Sequence, residues 1–168
     1  VAVLNDLFKN GTIKRTKDGK ILVTNNLPPE SNWLRCSNKT IGKHCYYLWS
    51  ICFNKFGFIH SKCRNCYKVV ANLKSFDEMM KVAEIQKAMD VPSKVGIDDR
   101  PYTTGQYGAY WYNDGLDNGL EMLELVREEL KPLGITDIFL KRACTEFENA
   151  CGDSAYWASS PMVDALEK

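Results

Sequence analysis

The chain has 168 residues, 45% hydrophobic and 11% aromatic, which is enough for one packed core and speaks against extended disorder. Its longest apolar run, residues 45–53, is far too short to span a bilayer, so no membrane partner is expected, and no secretory signal is read in these residues. The formal charge of +1 hides an asymmetry: residues 1–70 carry twelve Lys/Arg against three Asp/Glu, and residues 71–168 carry ten against eighteen.

Residues 11–25 predict a β-hairpin, because Asp18-Gly19 is a strong turn pair and β-favouring residues flank it at Ile13 and at 21–24. Leu27-Pro28-Pro29-Glu30 then interrupts regular structure. Residues 33–66 are dense in cysteine, aromatic and basic residues without a clean period, the pattern of a small metal-stapled module. Residues 67–73 predict a strand. Ser75 and Glu78 form a capping box, and Phe76, Met79, Met80 and Ala83 follow at helical spacing, so a helix is expected to about Met89. Residues 94–98 predict a short strand, 101–105 a turn and 107–112 a strongly β-prone strand. Asp117 is placed to cap a second helix with Leu120, Leu123, Val126 and Leu130 as its apolar face; Pro132 and Gly134 end it. Residues 137–143 close as a strand.

The order over residues 66–144 is β-α-β-β-α-β. The expected fold class is therefore α+β: a ferredoxin-like split sheet of four antiparallel strands with both helices on one face, preceded by the N-terminal β-hairpin and a small cysteine-rich, metal-stapled module. An open α/β sheet with a βαβ core is the competing topology. The expected division is a basic hairpin plus cysteine-rich module at 1–65 and the ferredoxin-like domain with its C-terminal tail at 66–168.

The split arrangement has a geometric consequence. Its first and last strands lie side by side and antiparallel, so the start of one adjoins the end of the other. Cys66 and Cys144 then become neighbours, with Cys63 of the Cys63-Arg64-Asn65-Cys66 turn beside them. A closed four-coordinate site needs one more ligand, and Cys45 is preferred over Cys36, His44, His60 and Cys151 because it would staple the module to the sheet. Cys52, inside an apolar run, reads as a buried small hydrophobe. Four thiolates suit a zinc ion, the expected cofactor; an iron–sulfur cluster is the alternative. Seven cysteines, an odd number, argue against a secreted disulfide framework and for a reducing, cytoplasmic compartment.

Lys14, Arg15, Lys17 and Lys20 cluster around the hairpin, and Arg35, Lys43 and Arg64 continue through the module among Trp33, Trp49, Phe53 and other aromatics. Cations that neutralise phosphates beside rings that stack on bases make a nucleic-acid platform. Residues 107–112 (Tyr-Gly-Ala-Tyr-Trp-Tyr) and 70–73 (Val-Ala-Asn-Leu) loosely resemble the third- and first-strand signatures of the RNA-recognition motif, which has the same element order. That resemblance implies RNA binding through sheet aromatics. Ala109 and Val69 stand where that family places aromatics, and its leading basic–glycine pair is missing.

Catalysis is not expected. There is no phosphate-binding loop, dinucleotide fingerprint or HExxH. Asp98-Asp99 lacks a partner carboxylate, with Asn72 in its place, and His60 beside Cys63 or Cys66 has no third residue to orient it. A small-molecule substrate is not expected. The first functional reading is a zinc-stapled, non-enzymatic module that binds nucleic acid or another polyanion. A structural component of a larger protein complex and an iron–sulfur redox or sensing protein are the alternatives.

Overall fold

The computed structural model describes residues 13–15, 17, 21–23, 33–36, 45, 48–98, 100, 102, 103 and 105–167. The chain divides into two units, Val1–Asn32 and Trp33–Lys168. In the first, β1 (Ile13–Arg15) pairs antiparallel with β2 (Ile21–Val23), Lys14 standing opposite Leu22. The expected Asp18-Gly19 turn lies outside the described residues.

The second unit opens with β3 (Trp33–Cys36) and a π-helical turn at Leu48–Phe53. A short helix α1 (Ser61–Arg64) leads into β4 (Cys66–Leu73), α2 (Phe76–Met89), β5 (Ser93–Ile97), β6 (Tyr107–Asp114), α3 (Leu116–Leu130) and β7 (Ile138–Arg142). Two helices, α4 (Thr145–Cys151) and α5 (Pro161–Leu166), follow. The sheet is antiparallel throughout, in the order β3-β5-β6-β4-β7. It has five strands where the sequence predicts four. The edge strand β3 is too short to show an alternation of its own and takes its register from β5, with Arg35 opposite Lys94.

Local chemistry sets the element boundaries. The Ser75 hydroxyl accepts from the Glu78 amide at the start of α2, and Glu78 in turn accepts from the Lys74 amide. Both α2 and α3 pack on one face of the sheet over Val69, Ala71, Leu73, Val95, Ala109 and Trp111. In β6, then, Tyr107, Ala109 and Trp111 lie under the helices, and Tyr110 and Tyr112 take the opposite face.

The helix faces differ from the sequence expectation. α2 buries Met79, Val82 and Gln86, leaving Phe76 and Met80 exposed; α3 buries Gly119, Leu123, Val126 and Leu130, leaving Leu120 exposed. Gln86 can be buried because its side-chain amide donates to the Lys94 carbonyl at 3.1 Å. Among the described residues no helix is long and apolar enough to cross a membrane.

Candidate functional site

Strand alternation puts Cys66, Lys68, Val70 and Asn72 of β4 on the face away from α2 and α3. Lys68 stands opposite Tyr112 on one side and Lys141 on the other; Val70 stands between Tyr110 and Phe139. One end of this open face carries the thiols.

The CxxC turn is held there from both sides. Gly115 N–H donates to the Asn65 carbonyl and Ala143 N–H to the Cys66 carbonyl, both at 2.8 Å, and Asn65 Nδ2 donates to Asp114 at 2.8 Å. Arg142 donates from Nε to the Arg64 carbonyl at 2.6 Å and from a terminal nitrogen to the Ser154 carbonyl at 2.6 Å. Ala143 adopts a φ of +53°, a left-handed conformation rare for a residue with a Cβ. That turn takes the chain off β7 and delivers Cys144 to the N-terminus of α4.

Cys45, Cys63 and Cys144 line one cleft of about 400 Å³ together with Trp49, Glu146 and Phe147. Trp49 and Phe53 pack on Phe147 at ring separations of 5.2 and 4.9 Å, closing the segment before β4 over α4. The electrostatics show the same convergence. Burial pushes the Cys63 thiol well up, and negative charge on Cys144, Cys66 and Cys45 adds to it. Cys66 is pushed up to about 12, first by burial and then by Cys144, with Lys68 pulling the other way. Cys45 is raised by burial and by Cys144, although the residue as a whole is exposed. Burial raises the Tyr112 phenol, and Cys144, Cys45 and Cys66 raise it further.

Without an ion, then, Cys45, Cys63 and Cys66 hold their protons at neutral pH. A divalent cation inverts that balance, because bound thiols deprotonate. The donor chemistry, all sulfur, fits a soft or borderline ion. The spacing is looser: among the described residues, no three His, Cys, Asp or Glu side chains stand close enough to hold an ion as placed. None of the seven cysteines is in a disulfide. Cys52 is buried beside Leu48 and Phe58, Cys36 lies on the edge strand β3, and Cys151 is exposed at the end of α4. His60 caps α1, its Nδ1 accepting from the Lys62 amide at 3.1 Å.

The basic residues separate. Lys14 and Arg15 lie on β1, Lys17 is exposed, and Arg35 is exposed on β3. Lys20 and Lys43 lie outside the described residues. Arg64 is spent internally: it donates to the Ile59 carbonyl at 2.6 Å and pairs with Glu167 at 3.3 Å.

Sequence reasoning passed over Arg100, which ties the far end of the open face to the cleft residue Glu146. Arg100 bridges Asp98 and Glu146, and Tyr110 donates to Asp98 at 2.9 Å. It also passed over the stack of Lys94 Nζ on the Trp33 ring, 3.8 Å from its centre. Alternation along β5 and β6 was the available signal, since it puts Lys94 and Tyr110 side by side on the open face. Compared with protein-family models, curated proteins and solved structures, the chain matches none.

Proposed function

We propose that this chain is a non-enzymatic α+β module, stapled by a metal ion at Cys45, Cys63, Cys66 and Cys144, that binds nucleic acid or another polyanion through its basic N-terminal half. The observation that carries the metal reading is the arrival of thiols from three separated segments at one cleft on the sheet. The strand order β7-β4-β6-β5, with α2 and α3 crossing on a common face, supports the ferredoxin-like split arrangement within the larger sheet. Zinc is the proposed ion, because it accepts four thiolates without redox chemistry, and the reading implies a reducing, cytoplasmic setting. The polyanion reading rests on the excess of Lys/Arg in residues 1–70.

Elemental analysis of the purified chain tests the first half. About one zinc per chain is expected, lost in Cys63→Ser and Cys144→Ser and kept in Cys36→Ser and Cys151→Ser. Iron with visible absorbance transfers the reading to an iron–sulfur protein, and no metal in the wild type overturns it. For the second half, binding to a short oligonucleotide should weaken steeply with salt and should fall when Lys14, Arg15, Lys17 and Lys20 are changed to Ala. A role in protein assembly is the second reading, favoured by exposed Phe76, Leu116 and Leu120 on α2 and α3. Absent or salt-insensitive oligonucleotide binding would turn the choice to it.

A further inference from the structure

The open face holds a groove of about 250 Å³ over β4, β6 and β7, with Lys68, Val70, Arg100, Gly108, Phe139 and Lys141 among its lining residues. A glycine gives it room. A Cβ at Gly108 would stand 3.1 Å from Cε2 and from the hydroxyl of Tyr110, so the bare backbone there lets that ring lie along the strand and reach Asp98 at 2.9 Å. Val70 and Phe139, paired across β4 and β7, add an apolar floor. Val70 is buried, whereas Phe139 leaves 41% of its surface bare.

Three cationic residues line the groove, and two are matched: Arg100 by Asp98 and Glu146, Lys141 by Glu148. Lys68 is not, although only 6% of its surface is exposed. Among the described residues no carboxylate lies within ion-pair distance of it, and no hydrogen bond leaves its ammonium. Glu146 feels its charge, but that carboxylate is held by Arg100 and Tyr102. The Tyr110 ring, its centre 5.6 Å from Lys68 Nζ, offsets part of the cost of burial; a counter-charge offsets far more. Nor is the ammonium sealed. Among the described residues the Trp111 indole nitrogen is the one sealed polar side-chain atom without a partner, so Lys68 Nζ opens on the groove.

Charge and size then select the occupant. One unmatched ammonium matches one negative charge; a second would face the Asp98 carboxylate unbalanced. The volume falls just below the roughly 300 Å³ at which small-molecule sites begin, so the group that enters is small. Lys68 and Phe139 are diagonal neighbours on β4 and β7, about 7–8 Å apart, which sets charge and ring a few bonds apart on the ligand. We infer that the groove is a binding site for a small monoanion that carries a ring, its carboxylate or phosphodiester on Lys68 and its ring on Val70 and Phe139. The site uses none of the hairpin's cations and needs no metal ion.

The experiment is an amide NMR titration of the full chain with three probes: phenylacetate, its uncharged amide phenylacetamide, and thymidylyl-thymidine, which carries one phosphodiester. Phenylacetate should shift residues 68–72, 108–110 and 139–141 and bind roughly 10–100-fold more tightly than phenylacetamide. Lys68→Met, which keeps the apolar stem, should erase that preference. Phe139→Ser should weaken both probes alike, by roughly 3–10-fold. Tighter binding of thymidylyl-thymidine, with the same dependence on Lys68, supports the inference and makes the occupant a nucleotide; tighter binding of phenylacetate supports it and makes the occupant a free carboxylate. Melting gives a second readout. Without a probe, Lys68→Met should melt at or above the wild type, because it removes an unmatched buried charge. Melting below the wild type would mean that Tyr110 and Glu146 already satisfy the ammonium, and overturns the inference. Equal wild-type affinity for phenylacetate and phenylacetamide, or no shifts on this face with either monoanion, overturns it as well. Each of these failures leaves the metal and polyanion readings standing.

Discussion

Asp98 keeps 4% of its side chain exposed and accepts from Tyr110 and from Arg100 Nε at 2.9 and 2.7 Å. Burial by itself would raise its pKa, but hydrogen bonds from Arg100 and then Tyr110 outweigh burial and hold the carboxyl at about 2. A carboxylate whose pKa is depressed on folding stabilises the fold above its unfolded value, 3.8, and that contribution disappears as pH falls toward 2. Urea denaturation at pH 7 and at pH 2 should differ by roughly 2 kcal/mol more in the wild type than in Asp98→Asn. Equal pH dependence in the two proteins would remove the carboxylate from this role. In the sequence Asp98 was visible only beside Asp99, as half of a metal-binding pair. Its partner Arg100 takes its second carboxylate, Glu146, from beyond β7, a pairing set by loop geometry that no local pattern encodes.

Spacing along the helices gave their existence and the ends of α2. α3, however, begins at Leu116 after Gly115, with Asp117 inside its first turn and no side-chain cap, and the spacing misplaced part of both inner faces. A pattern of large apolar residues selects Phe76, Met80 and Leu120, whereas close approach to a sheet selects small residues and polar ones with a partner. Gly119 is the clearest case. A Cβ there would meet Tyr67 Cβ at 3.0 Å and Leu140 Cδ1 at 3.1 Å, so the glycine sets how near α3 lies to β4 and β7. Gly119→Val should destabilise the fold by roughly 1–3 kcal/mol through overpacking, lowering the melting temperature by about 3–10 °C. Phe76→Ser and Met80→Ser should each stay within about 0.5 kcal/mol of wild type, because both side chains already face solvent. Losses of core size in the two serine variants would mean that the spacing pattern, and not the observed face, describes α2. Strand alternation fared better, since a period of two leaves only two faces to choose between. The one choice it left open, in β6, was resolved by Trp111 going under the helices.

Among the described residues of the second unit, apolar packing falls into two clusters with different supports. The larger joins α2 and α3 to the sheet through Val69, Val82, Trp111, Val126 and Leu130 and involves none of the candidate ligands. The smaller gathers Leu48, Cys52 and Phe58, with Cys63 and Val163 packed against it. Among the described residues it is tied further by Arg64 to Glu167, by the Ser61 amide to Glu167 at 2.7 Å, and by the rings of Trp49, Phe53 and Phe147. The smaller cluster is thus what a thiol-bound ion would staple, and the larger has no need of one. If the proposed ion is there, stripping it with a chelator should raise amide exchange locally, in 48–64 and 144–167, while β4, β6, α2 and α3 keep their protection. Local opening of that kind follows from the division of the core, because a cluster of three buried residues cannot offset the ordering of its own backbone as the larger one can. Exchange that rises uniformly would mean one cooperative core. Exchange that does not change, in protein shown to have lost its metal, would mean that the ion supports neither cluster. The approach of Cys66 to Cys144 was legible in advance because it follows from strand order alone. The second cluster was not, because its residues come from a segment without a period and from a C-terminal helix whose contacts are set by Arg64 and Glu167.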